Sequence, residues 1–502
     1  MTDPDLVAAR LEDAAHYPGG RASGVAAPAS EAEVADLLRS VPAVLAVGAQ
    51  SSLTGGATPM GSLVLSTGAL TTLDVGATTV RAGAGVTLQA LQEALAPRGL
   101  WLPPVPTYLG ATVGGAVATN AAGATTFKYG SIRDWVRALT VVLADGERLS
   151  IARGDVTASP DGRLTIETGR GPVEIPVPPY RMPVVPKCSA GYYAAPGMDL
   201  VDLFVGSEGT LGVICEATLA VAPLPAGVCW ALVPVVDEPS AIALVDALRR
   251  ASQATWATRD PRGLDVAAVE HLDRRSIEIL REDGADRRLD TPLPSGAGVL
   301  LLLQVELHGD QARRDLWADL AASDDATAPD TPLVRLCRLL RTHGVFDDTE
   351  IVLPGNARRI GALVELREAV PAGVNRRVAL AQEAVDTRIT KTAADMIAPF
   401  DRFGEMMLAC RRLFEARGLD IAVWGHISDG NVHPNVIPAS YADVERGRQL
   451  ILELARGVIA MGGSPLAEHG VGRNPVKQQL LGLLYGPDGV EAMRRVKRVL
   501  DP

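Results

Sequence analysis

Ile421-Ala-Val-Trp-Gly-His-Ile-Ser-Asp-Gly-Asn-Val-His-Pro-Asn-Val436 reads as a β-hairpin closed at Asp429-Gly430. Asp-Gly between two apolar runs signals a two-residue turn, because such turns need positive φ at their centre. That turn would set Ser428 opposite Asn431, Ile427 opposite Val432 and His426 opposite His433. Directly opposed side chains share one face of the pair, with β-carbons about 4.5–5.5 Å apart. Two imidazoles so placed could share one metal ion. A helix would also bring residues seven apart onto one face, but Gly425, Gly430 and Pro434 oppose a helix.

Downstream, Ser464-Pro-Leu-Ala-Glu-His-Gly-Val-Gly-Arg-Asn474 offers a third ligand. Neighbours in extended chain point opposite ways, so one of Glu468 and His469 can bind the metal while the other faces a different partner. Two histidines and a carboxylate, with coordination positions open, form a catalytic rather than a structural set. Any one of these histidines alone would read as a hydrogen-bonded core or surface residue. Three of the chain's seven, however, fall in these two glycine-rich stretches.

A chain of 502 residues exceeds one small core and implies two or three domains. Its net charge of −11 argues against a nucleic-acid partner and supplies no polybasic anchor for an anionic membrane. The five cysteines (188, 215, 229, 337 and 410) form no Cys-x-x-Cys, which argues against a zinc ribbon or iron–sulfur cluster and suits reduced thiols. The acidic start Met1-Thr-Asp-Pro-Asp5 lacks a signal-peptide core, and no apolar run reaches membrane-spanning length. The expectation is a cytoplasmic protein, with loose attachment at the inner face of a membrane left open.

Residues 1–24 read as a helix around Leu6 to Ala15 and a link. Short β-rich runs follow (43–47, 63–66, 79–82 and 139–144), with one helix over 87–98 ended by Gly99. Residues 163–168 and 173–177 read as a hairpin. Pro223-Leu-Pro225 marks a domain boundary. Beyond it come strands at 231–236 and 299–307, helices from about Ser240 and at 312–322, and a helix capped by Asn356 and ended by Pro371. Ser440-Tyr-Ala-Asp443 opens a last helix up to Met461.

Three loops are dense in glycine: Gly48-Ala-Gln-Ser-Ser-Leu-Thr-Gly-Gly56, Tyr108-Leu-Gly-Ala-Thr-Val-Gly-Gly-Ala-Val-Ala-Thr-Asn-Ala-Ala-Gly123 running on to Lys128-Tyr-Gly-Ser-Ile-Arg133, and Gly206-Ser-Glu-Gly-Thr-Leu-Gly212. Successive N–H groups in such loops bind anions, and together the three point to a phosphate-bearing cofactor. Each alone would pass for a tight turn. None is a P-loop, and Gly83-Ala-Gly85 lacks the third glycine of a dinucleotide fingerprint, where Leu88 stands instead.

These motifs, with the hairpin and Glu-His-Gly-Val-Gly, resemble the vanillyl-alcohol oxidase/p-cresol methylhydroxylase superfamily. Within it, they resemble the branch of D-lactate dehydrogenase, the glycolate oxidase FAD subunit and D-2-hydroxyglutarate dehydrogenase. The resemblance runs from about residue 25 to the C-terminus. It implies an α+β chain: a two-subdomain FAD-binding (PCMH-type) domain over 25–225, then an α/β cap with a largely antiparallel sheet over 226–420. A C-terminal segment over 421–502 would carry the metal hairpin and end in helix. FAD would be held by Gly48, Ala49, Gln50, Ser51, Ser52, Leu53 and Thr54, by Gly110, Thr112, Gly114, Gly115, Thr119 and Asn120, and near the adenine by Glu208, Gly209 and Ile214. The resemblance makes His426, His433 and Glu468 ligands of a divalent metal, zinc or manganese, and His469 the catalytic base. Arg367 would grip the substrate carboxylate, with Lys391 a second choice.

The implied reaction is oxidation of a D-2-hydroxy acid to the 2-oxo acid, with hydride passing to flavin N5. A chelated metal lowers the hydroxyl pKa, and a histidine titrates near the operating pH. Relatives often carry Arg-Gly-Gly-Gly-Thr-Ser where this chain has Val47-Gly-Ala-Gln-Ser-Ser, so Gln50 stands at a glycine's place. No histidine occupies the covalent-attachment position, so the FAD is expected to be noncovalent. The iron–sulfur extension of some relatives is missing, so electrons would leave to an external quinone, cytochrome or flavoprotein. A homodimer is compatible with the sequence. Two other classes stay open: a metal-dependent hydrolase with structural glycine loops, and a non-catalytic flavin-binding electron-transfer subunit.

Overall fold

The computed structural model describes residues 4–104, 106–325 and 327–502. It divides into two compact units. The first comprises the chain up to Gly123, Tyr129–Leu224 and Leu466–Pro502; the second comprises Ala124–Lys128 and Pro225–Pro465. The stretch 421–502, expected as one segment, is therefore shared between them.

The first unit holds two principal sheets. Gly24–Ala26, Leu63–Ser66 and Val44–Val47 lie parallel in that order. Parallel strands need crossovers: the helix Glu31–Ser40, capped by Ser30 on the Glu33 amide, carries the chain from Gly24–Ala26 to Val44–Val47, and the loop 48–62 carries it on to Leu63–Ser66. The second sheet is antiparallel, in the order Leu73–Val75, Thr79–Gly83, Val213–Ala220, Val136–Val142, Arg148–Ala152. Helix Leu88–Leu95 starts at Thr87 and, after a short 3-10 turn, stops at Gly99 with φ 65°. The expected N-terminal helix shrinks to Pro4–Ala8. Asp13 is the reason: its carboxylate accepts the Ala15 and Ala57 amides at 3.2 and 3.3 Å, a side-chain alternative to helical bonding.

The second unit is built on an eight-stranded sheet. Its path runs Glu350–Val352, Gly227–Val235, Val299–Leu307, Val266–Asp273, Ile421–His426, Asn431–Val436, Thr392–Ala393, with Met396–Ile397 also on Asn431–Val436. Every pairing in it is antiparallel. Val266–Asp273 has no counterpart among the expected strands. All eight of its residues are buried, so no alternation marks it, and Glu270, His271 and Asp273 interrupt its apolar run.

Helix Ala357–Ala384 also departs from expectation. Asn356 caps it, accepting the Arg359 amide, but Pro371 does not end it. Buried Leu363, Leu366, Val370, Val374 and Val378 continue one stripe past the proline. An interior proline costs about 3 kcal/mol, whereas burying each valine beyond it contributes roughly 1.5–3 kcal/mol. Two such valines offset the break. The C-terminal helix Pro475–Leu500 is interrupted at Gly486 (φ 68°), ahead of Pro487, and returns Val496 and Leu500 to the core of the first unit.

Candidate active site

The hairpin forms with a longer turn than its sequence suggests. His426 lies opposite Asn431, Gly425 opposite Val432 and Trp424 opposite His433. Ile427–Asp429 makes a 3-10 turn and Gly430 follows at φ 82°, so four residues close the loop. The expected opposition of His426 to His433 is thus corrected by two residues. Ser428 cannot join the ladder because its hydroxyl, fully buried, accepts the Val269 amide at 3.1 Å. Side chains alternate with a period of two, so lengthening the turn by two residues preserves their face. His426 and His433 become diagonal neighbours, with rings edge to face and centroids 5.7 Å apart.

Each imidazole has a carboxylate at Nδ1. Glu270 Oε1 lies 2.5 Å from His426 Nδ1, and Asp395 Oδ1 lies 3.3 Å from His433 Nδ1. Asn431 Nδ2 donates to Asp395 at 3.1 Å, and Arg367 Nε donates to Glu270 Oε2 at 2.9 Å. Burial alone would push the Glu270 carboxyl up; His426 and Arg367 more than offset it and hold it well below the usual carboxylate range. A carboxylate on Nδ1 fixes the tautomer that presents Nε2 to a metal and raises its basicity. The donor set fits a divalent cation such as zinc or manganese. Neither Glu270 nor Asp395 was found from sequence, since Glu270 stands 156 residues before His426 in a strand without alternation.

Arg367 presents its fork inward. Besides Glu270 it donates through Nη1 to Glu368 at 2.7 Å. Lys391 is exposed and precedes Thr392–Ala393, which pairs with Asn435–Val436.

Glu468 and His469 belong to the first unit. The segment is bent rather than extended: His469 has φ 69°, Gly470 73° and Gly472 53°. His469 Nε2 consequently comes within 3.9 Å of Glu468 Oε2, and the two side chains do not point apart as expected. Buried Lys187 donates to Glu468 Oε1 at 2.5 Å. Lys477 Nζ donates to the carbonyls of Glu468 and Gly470 at 3.3 and 3.1 Å. The His469 side chain is 37% exposed against 9% for Glu468.

The glycine loops lie in the same unit. A Cβ on Gly48 would sit 2.2 Å from Thr112 Oγ1, and one on Gly114 would sit 2.6 Å from the Ala84 Cβ. The first two loops therefore meet backbone to side chain, a cradle that larger residues would fill. Thr112 caps the turn at Gly115, and Thr119 Oγ1 donates to the Gly115 carbonyl. Gly110 packs against the Tyr108 ring, and Asn120 accepts the Arg133 amide at φ 49°. Ala49 and Leu53 are exposed, Ser51 and Ser52 half-buried, and buried Thr54 accepts the Arg473 amide through its carbonyl. This arrangement fits a flavin nucleotide.

The side chains of three expected cofactor residues are engaged within the chain. Gln50 Nε2 donates to the carbonyls of Arg10 and Ala57 at 3.0 and 2.9 Å, tying the N-terminal segment to the loop. Ile214 is packed in the core. The Glu208 carboxylate accepts the Val471 and Gly472 amides, both at 2.8 Å. Exposed Gly209 has nothing within 4 Å of a Cβ. Among the described residues no helix is long and apolar enough to cross a membrane.

Comparison with known proteins agrees with this anatomy. Residues 22–152 match the FAD binding domain, and residues 237–502 match the C-terminal domain of FAD linked oxidases. The chain is 28% identical over 490 residues to a D-lactate dehydrogenase of Archaeoglobus fulgidus, covering 95% of this chain and 88% of that one. It is 26% identical over 421 residues to the glycolate oxidase subunit GlcD of Bacillus subtilis, covering 83% and 72%. With a D-2-hydroxyglutarate dehydrogenase of Xanthomonas citri pv. viticola it shares 28% over 493 residues, covering 95% and 86%. A solved alkyldihydroxyacetonephosphate synthase shares the fold, with a TM-score of 0.55 at 14% identity over 93% of this chain and 75% of that one. The family match extends over more than half of the residues, and the chain is a member of the FAD-linked oxidases, an FAD-dependent oxidoreductase of the vanillyl-alcohol oxidase/p-cresol methylhydroxylase fold.

Proposed function

We propose that this enzyme oxidises a D-2-hydroxy acid of the lactate, glycolate or 2-hydroxyglutarate kind to its 2-oxo acid, using noncovalent FAD. The observation that carries the reading is the pair His426 and His433, each with a carboxylate at Nδ1, in a chain whose relatives are named for such acids. Gly48, Ser51, Ser52, Thr54, Thr112, Gly114 and Gly115 hold the cofactor, which supplies a hydride acceptor. His426, His433 and Glu468 hold a divalent cation, which supplies Lewis acidity at the substrate hydroxyl.

His469 takes the hydroxyl proton as the C2 hydrogen leaves with its electron pair, so substrate loses two electrons and gains a carbonyl. Its half-open position suits a general base. Arg367 acts through Glu270, keeping His426 oriented, and Lys391 is the remaining cation for the substrate carboxylate. Electrons then pass to an external acceptor. The test is anaerobic loss of flavin absorbance against matched D- and L-2-hydroxy acids: a D-acid should bleach the flavin within one turnover. Faster bleaching by L-acids, or none by any acid, overturns the reading.

A further inference from the structure

The structure assigns Glu208 to positioning His469, which deepens the proposed function and rests on His469 being the base. Glu208 lies in the third glycine loop, where a cofactor contact is the ready reading. Its carboxylate is instead fully engaged by the chain: Oε1 accepts the Val471 amide and Oε2 the Gly472 amide, both at 2.8 Å. The Gly470 amide, one residue nearer His469, donates to Ser189 Oγ at 3.2 Å. Three consecutive N–H groups thus converge on side chains of the same unit.

Such convergence requires an unusual backbone. His469 has φ 69°, and beyond it positive φ at Gly470 and Gly472 flanks Val471; such alternating handedness turns the Val471 and Gly472 amides toward one point, forming an anion-binding nest. Glu208 is the anion built into that nest. The fit is tight: a Cβ on Gly470 would lie 2.7 Å from the Glu208 carboxyl, so glycine is needed for the carboxylate to reach the amides. Glu208 is fixed in turn, since its own amide donates at 2.7 Å to the carbonyl of Ala118, the last residue of the helix Val113–Ala118 within the second loop. A left-handed conformation costs a non-glycine residue about 1–2 kcal/mol, so His469 needs such bracing to keep one direction. The link runs from the second glycine loop through Glu208 to the backbone beside the base.

The test uses the FAD-loaded full chain and the variants Glu208→Gln and Gly470→Ala, which disturb the clamp from opposite sides. Hydrogen exchange at the Val471 and Gly472 amides should quicken at least tenfold in both variants. Single-turnover bleaching should slow about 30- to 300-fold, with KM and the flavin spectrum unchanged. In a double-mutant cycle, adding Glu208→Gln to His469→Ala should cost nothing further, because a group acting through His469 has no effect once it is gone. Unchanged exchange at 471 and 472, loss of FAD from Glu208→Gln, or additive losses in the cycle would overturn the assignment. Wild-type bleaching by His469→Ala would instead refute the base, while the exchange rates still decide the clamp.

Discussion

Glu270 and His426 are directly opposed across the antiparallel pair of Val266–Asp273 and Ile421–His426, with Oε1 2.5 Å from Nδ1. The Glu270 carboxylate also bonds Arg367, so one buried anion orients the His426 imidazole and neutralises a half-buried guanidinium. Replacing Glu270 by Gln should weaken metal binding about 10- to 100-fold, the usual cost of losing a carboxylate behind a ligating histidine. It should also lower stability by about 3–5 kcal/mol, because Arg367 would lose its buried partner. Metal titration and urea unfolding measure the two effects separately.

The same pair sets a pH dependence. Glu270 has a folded pKa below its ordinary value of 4.5, so its stabilisation is complete above that value and lost only as pH falls through the lower folded value. The wild type should lose stability between pH 5 and 3 more steeply than Glu270→Gln, whose slope lacks this group. Parallel profiles for the two proteins would show that the pair does not form in solution.

Parity decides whether the two histidines share a face. One glycine inserted between Gly430 and Asn431 should move His433 to the opposite face or force a bulge, and two should restore it. Metal affinity should fall by at least about 10-fold with one insertion and recover with two. Equal losses from both would mean that the loop's own conformation matters more than the register.

This parity also explains how a misjudged turn still set His426 and His433 on one face. Asp429-Gly430 correctly marks the reversal, but the 3-10 turn at Ile427–Asp429 depends on Ser428 bonding Val269, a contact that local sequence does not contain. Glu270 and Asp395 escaped for a related reason: their roles come from strand neighbours distant in the chain. Glu208 was legible as part of a glycine motif but not as the anion of a nest, because the nest lies in another segment. Elements fixed by local chemistry were readable. The capping box at Ser440 and Asp443, the Gly99 stop and the strands Leu63–Ser66 and Val299–Leu307 all fall where expected.

His469 allows catalysis to be separated from backbone strain. Both His469→Ala and His469→Gly should retain FAD and lose about 10²- to 10⁴-fold in bleaching rate, the contribution of a general base. At φ 69° the glycine variant should be the more stable by about 0.5–1 kcal/mol, since alanine keeps the left-handed penalty. Anaerobic stopped flow and thermal unfolding of the two variants check both halves.

Lys128 carries the last prediction. Ala124–Lys128 belongs to the second unit although the chain on both sides belongs to the first. Phe127 packs on Trp256 at 5.0 Å between centroids and under Arg249. Lys128 Nζ meets Asp265 and Glu306 at 2.6 Å each, and His308 Nε2 lies 2.7 Å from Asp265. Burial alone would raise the Asp265 carboxyl; His308 and Lys128 more than offset it and lower it instead. Its stabilisation is thus present above the ordinary carboxylate range and lost only on acidification. Lys128→Met removes the cation between two buried carboxylates, so one of them must take a proton and its folded pKa rises above the unfolded value. Stability in the variant is then retained at low pH and lost as pH rises. The variant should be about 3–5 kcal/mol less stable than wild type near pH 8 and approach it toward pH 5. A constant deficit across that range, measured by urea unfolding, would mean that Lys128 contributes packing rather than charge.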